Sequence, residues 1–473
     1  MNACNHYFWF MRIFLLLCIV GIVSCSGKKT ESTKVDSDPK VTSAPIEKSG
    51  NSFSSQPCQL DANLHYSVYY PTRFSAKEKL PILILFDPHG DPEFPLEMYK
   101  SLANAYDFIL MASKESKNGN NAEQTANIIQ SMLYQCRQIE KVDTNQIFAG
   151  GFSGGARVAA MLALSSTSIK GLVVCGAGIP AGSWTGVPPN LIVGIAGNSD
   201  MNLSEVLNFK TQDPRMMSRY QTIRFSGEHA WPPASVMENA FIAFRAIAQR
   251  DRFTPVDTKQ LESGLAFLKH QSDSVSNVIE KVELYKNMVK NFQGMLNTQN
   301  VEASLQKLLN SMEYKQGLSV ENEFKQTELK NRDYFLRALG AKDTGWWKTE
   351  FHRWESTTAS KSPQAFEDMK NRVRGVISLS TYMSLNRAIS ALHKEQSAYF
   401  SFIYRLVDPK NNEAWYLSSV SAAMDGNKDQ CIRFLEEAMK NGFHDVARCR
   451  TEPAFISLQS DSQFQEKVNQ INN

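Results

Sequence analysis

The sequence predicts an α/β protein with a doubly wound, mostly parallel sheet, followed by an all-α region. Three observations carry that prediction. Between residues 58 and 250, short apolar runs alternate with segments whose apolar residues recur at helical spacing, the pattern of a sheet with helices on both faces. Pro81-Ile-Leu-Ile-Leu-Phe86 is one continuous apolar run, as expected of a strand covered on both sides. Beyond residue 255 the strand signals stop and only helical spacing remains. With 473 residues the chain has room for two or three domains at about 100–200 residues each. Its 51 basic and 48 acidic residues give a net charge of +3, so no broad basic face for nucleic acid is implied. No apolar run reaches the ~18–20 residues that cross a bilayer.

Residues 1–25 read as an export signal and 26–55 as a flexible linker. Ile13 to Val23 is a single apolar run behind Met11-Arg12, too short to span a membrane and suited to a signal-peptide core. Met1–Phe10 fits an n-region poorly, which leaves Met11 as an alternative start. The run ends in Ile22-Val23-Ser24-Cys25, which resembles a bacterial lipobox. That resemblance implies cleavage before Cys25 and its lipidation, anchoring a soluble domain to a membrane face of the cell envelope, periplasmic or outer-membrane. A plain secretory signal with an incidental Cys25 is the alternative. Ser26 to Ser55 is rich in Ser, Lys, Thr and Pro with a single aromatic, Phe53, too little apolar surface to fold alone. Of eight cysteines, five lie beyond Cys25: Cys58, Cys136, Cys175, Cys431 and Cys449. An odd number forbids full pairing, so Cys431 and Cys449 either bridge neighbouring helices or remain free. No cysteine or histidine spacing suggests a metal site, and no cofactor is implied.

The α/β region, 56–252, is read element by element. Strands are expected at Leu64–Tyr70, Pro81–Phe86, Phe108–Ala112, Gln146–Ala149, Gly171–Cys175, Leu191–Ile195 and Gln221–Phe225. Helices are expected at Leu96–Tyr106, Ala122–Ile139, Gly155–Leu164 and Ala234–Ala248. In such sheets chemistry gathers at the carboxyl ends of the strands. There, between a strand and a helix, lies Gly151-Phe152-Ser153-Gly154-Gly155, a G-x-S-x-G turn that exposes a serine on strained backbone. A serine nucleophile needs a base and an acid to orient that base. His229 is the one histidine of this region downstream of Ser153, and it directly follows a strand. Asp200 lies just past the strand Leu191–Ile195; Asp213 and Glu228 are rival acids that do not immediately follow a strand end.

A tetrahedral intermediate also needs donors for its oxyanion. The Gly154 N–H is one candidate. The loop Phe86-Asp87-Pro88-His89-Gly90-Asp91-Pro92 supplies the other from Gly90 or Asp91, because Pro92 has no N–H; an ordinary Pro-Gly turn is the alternative. Ser113 to Gly119 opens on the same rim, where Asn118 could bond a polar leaving group or simply, with Gly119, reverse the chain.

Over about 190 residues, the His89-Gly90 turn, Gly151-Phe-Ser153-Gly-Gly155, Gly197-x-x-Asp200 and Gly227-x-His229-x-Trp231-Pro232 resemble the α/β-hydrolase superfamily. The resemblance is to its exported esterases of the polyhydroxyalkanoate-depolymerase and feruloyl-esterase type. It implies a Ser153, Asp200, His229 triad, an oxyanion hole, and an acyl pocket walled by Trp231; His89 and Asn118 are the other candidate substrate-binding residues. Two departures affect the substrate more than the reaction. Asp91 sets a carboxylate beside a site that must stabilise an anion, and no long lid insertion precedes Asp200.

Residues 255–375 read as a helical region. Leu261 to Leu309 carries apolar residues at helical spacing, which predicts two or more antiparallel helices. Trp346, Trp347 and Trp354 crowd one short span, as a ligand platform or, more simply, as core. In 376–473, Asp408-Pro409 and Trp415, then Gly426, Cys431 and Ala438, resemble a tetratricopeptide (TPR) repeat. A weaker repeat covers Leu379–Leu406, and Phe443–Ile471 reads as a capping helix pair. Such hairpins would bind a peptide or protein partner in a groove, or pack on the α/β region and shape its entrance. The expected protein is a membrane-anchored serine hydrolase of small or polymeric carboxylic esters. The alternatives are a scaffold lipoprotein with an inactive hydrolase domain and a serine peptidase acting on short peptides.

Overall fold

The computed structural model describes residues 50–73, 79–179, 187–208, 214–360 and 362–471. Cys25 and the predicted signal, with most of the linker, lie outside the described residues, as does Asp213. Every described residue belongs to one compact unit, Ile46–Asn473.

An eight-stranded sheet carries the α/β half. Its strands are β1 (Ser52–Pro57), β2 (His65–Tyr69), β3 (Leu80–Phe86), β4 (Ile109–Ser113), β5 (Val142–Phe152), β6 (Ile169–Cys175), β7 (Leu191–Gly197) and β8 (Tyr220–Phe225). They lie in the order β1-β2-β4-β3-β5-β6-β7-β8. β1 pairs antiparallel with β2, and β2 with β4; every other pairing is parallel. β1 is a correction to the sequence reading, which had residues 26–55 as flexible linker. Its polar residues give no apolar signal, yet Phe53 packs edge-on against Tyr70 at 6.0 Å between ring centroids, and the backbone completes a sheet edge.

Helices cover both faces, as the alternation requires. Helices α1 (Glu93–Tyr106), α2 (Ala122–Gln138), α3 (Gly154–Ser165), α4 (Leu203–Asn208) and α5 (Ala234–Arg250) alternate with the strands. All seven residues of β3 are buried. Leu83 and Leu85 face one layer with Tyr99 of α1 and Phe241 and Phe244 of α5. Ile82, Ile84 and Phe86 face the other, with Met132 of α2 and Ala159 of α3. Each such aliphatic side chain contributes about 1.5–3 kcal/mol on burial.

The helical half comprises α6 (Thr258–Ser274), α7 (Val278–Phe292), α8 (Gln299–Asn310), α9 (Met312–Ala338), α10 (Thr344–Glu355), α11 (Pro363–Ser390), α12 (Lys394–Val407), α13 (Asn412–Met424), α14 (Lys428–Lys440), α15 (Val446–Thr451) and α16 (Ser462–Gln470). The first task of this half is to cover an edge. β8 has a strand partner on one side only, and α7 lies against it. Asn287 donates to the Thr222 carbonyl at 2.9 Å and Lys290 to the Tyr220 carbonyl at 2.9 Å, so exposed ladder groups are satisfied by side chains. Two of the three tryptophans are core: Trp347 and Trp354 are buried with Phe335 and Phe351 while Trp346 packs partly buried beside them, and Trp347 donates to the Tyr399 hydroxyl at 3.1 Å. Gly426 turns α13 into α14 with φ of 74°, and Cys431 and Ala438 are buried at that helix pair. All five cysteines from Cys58 onward are buried free thiols, Cys431 and Cys449 among them. Among the described residues, no helix is long and apolar enough to cross a membrane.

Candidate active site

β5 runs to Phe152, and α3 begins at Gly154, so Ser153 is the whole turn between them. It adopts φ 51° and ψ −118°, a conformation that costs a non-glycine residue about 1–3 kcal/mol. Its amide donates to the Cys175 carbonyl of β6 at 2.8 Å. The glycines permit the turn's close approaches. A Cβ on Gly155 would strike the backbone carbonyl of Phe86 at the end of β3, and one on Gly151 would strike the backbone of Gly155.

Three strand ends deliver the polar groups. Ser153 Oγ lies 3.0 Å from His229 Nε2, and His229 Nδ1 lies 2.8 Å from Asp200 Oδ1. Asp200 is fully buried, its Oδ1 also accepting the Asn202 amide at 2.8 Å. Of the rival acids, Glu228 is exposed and it is Asp200 that faces the imidazole. His229 is half-buried, its ring tilted against Phe152 at 4.7 Å. The arrangement sets a hydroxyl against an imidazole whose other nitrogen is held by a carboxylate, the geometry that makes a serine oxygen nucleophilic.

The turn after β3 sits above the same strand ends. Gly90 has φ of 75°, and a Cβ there would come within 2.7 Å of the Lys114 carbonyl. Its amide reaches the Asp87 carbonyl only at 3.4 Å, and the Asp91 amide reaches Asp87 Oδ1 only at 3.5 Å. Both donors are therefore weakly committed. The Gly154 amide, first in α3, has no acceptor within its helix by position. The Asp91 carboxylate accepts the Phe94 amide, in the first turn of α1, at 3.2 Å.

His89, Asn118 and Trp231 stand differently from one another. The His89 side chain is 78 % exposed, with Nδ1 3.4 Å from Asp87 Oδ1; that carboxylate holds its pKa above the usual histidine value. Asn118 is exposed and stands against Gly154, where an added Cβ would meet its amide oxygen. Its own amide N–H holds the Pro88 carbonyl at 2.8 Å. The Ser113–Gly119 loop thus packs directly on the turn after β3. Trp231 is buried rather than open to the site, its ring tilted against Phe152 at 5.7 Å.

Asp87 and Gly176 escaped the sequence reading. Asp87 is buried and accepts the Trp231 indole N–H at 2.8 Å and the His89 amide at 2.7 Å. Burial alone would raise its pKa, but the hydrogen bonds from His89 and Trp231 outweigh it and hold the carboxyl below the usual range. Gly176, with φ of 60°, ends β6 where a Cβ would lie 2.9 Å from Asp200 Oδ2 and 3.2 Å from His229 Cε1. The Cys175-Gly176-Ala177-Gly178 run was the available signal. Among the described residues, no group of three or more His, Cys, Asp or Glu side chains is placed to hold a metal ion.

No protein-family model and no curated protein matches this chain. Similar solved structures include an acylaminoacyl peptidase of Pyrococcus horikoshii, 12 % identical with a TM-score of 0.32, over 42 % of this chain and 41 % of that one. They also include an S-formylglutathione hydrolase (FrmB) of Staphylococcus aureus, 15 % identical with a TM-score of 0.32, over 41 % of this chain and 97 % of that one. A third is dipeptidyl peptidase 4 of Porphyromonas gingivalis, 11 % identical with a TM-score of 0.31, over 44 % of this chain and 35 % of that one. The chain thus spans less than half the length of these two peptidases.

Proposed function

We propose that the protein is a serine hydrolase that cleaves carboxylic esters through an acyl-enzyme. The observation that carries this reading is the unbroken chain from Ser153 Oγ through His229 to Asp200, with separations of 3.0 and 2.8 Å. Ser153 Oγ attacks the ester carbonyl while His229 Nε2 takes its proton. Asp200 fixes the tautomer and stabilises the imidazolium. The amide of Gly154 and that of Gly90 or Asp91 receive the oxyanion, and His229 then protonates the departing alkoxide. Water, activated by the same imidazole, releases the acid and restores Ser153. Asn118 lies where it can bond a polar leaving group. The buried Trp231 acts from behind, through Asp87 and Phe152, rather than as an exposed pocket wall.

Reaction with a fluorophosphonate probe tests the proposal. Wild-type protein should label and Ser153→Ala should not; labelling that survives the substitution contradicts it. The same acyl chemistry serves amides, so parallel assays with p-nitrophenyl esters and peptide amides decide the substrate class, esters being the expected preference.

The cell-envelope address belongs to this proposal too. Lipidation at Cys25 would hold the hydrolase on a membrane face, and palmitate incorporation that disappears in Cys25→Ser is the expected result. The TPR-like hairpins around α13 and α14 are proposed to serve a peptide or protein partner.

A further inference from the structure

Asp200 is reached from two directions. Its side chain points inward to His229 and Asn202, and the loop amides are tied within the α/β half: Asn198 to the Phe225 carbonyl at 2.8 Å, Ser199 to the Gly227 carbonyl at 2.9 Å. The Asn198 and Met201 carbonyls and the Ser199 side chain, which flank Asp200, are instead held from the helical half. Arg372 of α11 donates to the Asn198 carbonyl at 2.5 Å, and Arg332 of α9 donates to the Met201 carbonyl at 2.7 Å. Glu328 joins the two arginines, its oxygens 2.8 Å from Arg372 Nε and 2.6 Å from Arg332 Nη2. Ser199 Oγ donates to Asp368 at 2.8 Å and accepts from Asn371 at 3.2 Å. Residues 198, 199 and 201 are all gripped, and Arg372 and Glu328 are themselves buried.

Burying a guanidinium and a carboxylate is expensive unless they are paired and bonded. An appendage that merely covered apolar surface would need neither. The two arginines that Glu328 joins aim their remaining donors at backbone carbonyls on either side of one carboxylate, and fixing a loop by its carbonyls fixes the side chain between them. We infer that Arg372 and Arg332, locked together by Glu328, are positioning residues for Asp200, which makes the helical half a working part of the active site. The inference rests on the serine-hydrolase reading for its catalytic consequence. The physical coupling between the helices and the Asp200–His229 pair does not depend on turnover. A displacement of the acid by about 1 Å is enough to cost on the order of a hundredfold in rate.

The test uses the full chain and two readouts. Proton NMR reports the downfield His229 Nδ1–H resonance of the bond to Asp200, assigned by its absence in His229→Gln, and ester hydrolysis gives kcat and KM. In Arg372→Ala the resonance should shift upfield or broaden away, with kcat about 10–100-fold lower and KM within about twofold. Arg372→Lys should restore part of both. Arg353→Ala, which removes an exposed ion pair on α10, should change neither. Should Arg372→Ala fail to fold, the milder pair Asp368→Asn and Asn371→Ala, combined, carries the same readings. A folded Arg372→Ala or Asp368→Asn/Asn371→Ala protein with an unmoved resonance and unchanged kcat overturns the inference. A resonance that moves in these variants while the wild-type protein itself shows no hydrolase activity supports the coupling and contradicts the proposed function instead.

Discussion

Trp231 donates its indole N–H to Asp87 at 2.8 Å, joining the loop that carries His229 to the turn after β3. The bond spans 144 residues of sequence and ties the base of the site to its candidate oxyanion donors. The carboxylate is buried, so each donor it keeps matters.

Asp87 therefore makes stability depend on acidity in a defined sense. Its folded pKa is depressed, so its contribution is present above the unfolded carboxylate value of about 3.9 and is lost as pH falls through the lower folded value. Asp87→Asn should be less stable than wild type at pH 7, and the gap should close as the pH drops below 4. Trp231→Phe should cost about 1–3 kcal/mol at pH 7 by leaving the buried carboxylate a donor short. Urea midpoints at neutral and acid pH read both; a gap independent of pH contradicts the assignment.

The serine turn should be intolerant at one glycine, while a nearby loop glycine should be forgiving. A Cβ at Gly155 meets the Phe86 carbonyl, which sits in the central strand and cannot yield. Gly155→Ala should lose about 3 kcal/mol or more along with activity. Gly119→Ala meets no atom within 4 Å, and its φ of 96° leaves only a backbone penalty of about 1–2 kcal/mol. Thermal melts of the two variants should separate clearly.

Asn118 is exposed yet touches the residue beside the nucleophile. Its replacement should leave stability within about 0.5 kcal/mol while slowing ester turnover about tenfold. Steady-state kinetics of Asn118→Ala checks this. A variant as active as wild type removes Asn118 from the site.

Much of the fold was legible because burial on two faces leaves a plain mark. The run Pro81–Phe86 could only be a covered strand, and the strand-end positions of Ser153, Asp200 and His229 emerged from the alternation around them. β5 proved longer than read, Val142–Phe152, because Asp143-Thr-Asn-Gln146 interrupts its apolar residues and leaves no continuous run. β1 was missed for a similar reason, since its polar backbone is ordered by pairing with β2 rather than by its own side chains. Helix α9 fell inside the predicted helical region without bounds of its own, because its buried face includes Glu328, and a charge at helical spacing reads as solvent-facing. Contacts that join residues some 170 positions apart, such as Ser199 to Asp368 and Arg372 to Asn198, leave no local pattern. The same holds for Asp87, whose partner Trp231 is distant in sequence.

The most direct measurement is the mass of the protein quenched during early turnover of a p-nitrophenyl ester. A burst of p-nitrophenol should accompany an added acyl mass that maps to the peptide containing Ser153 and vanishes in Ser153→Ala. Turnover with no acyl adduct on that serine, or an adduct that persists in Ser153→Ala, contradicts the account.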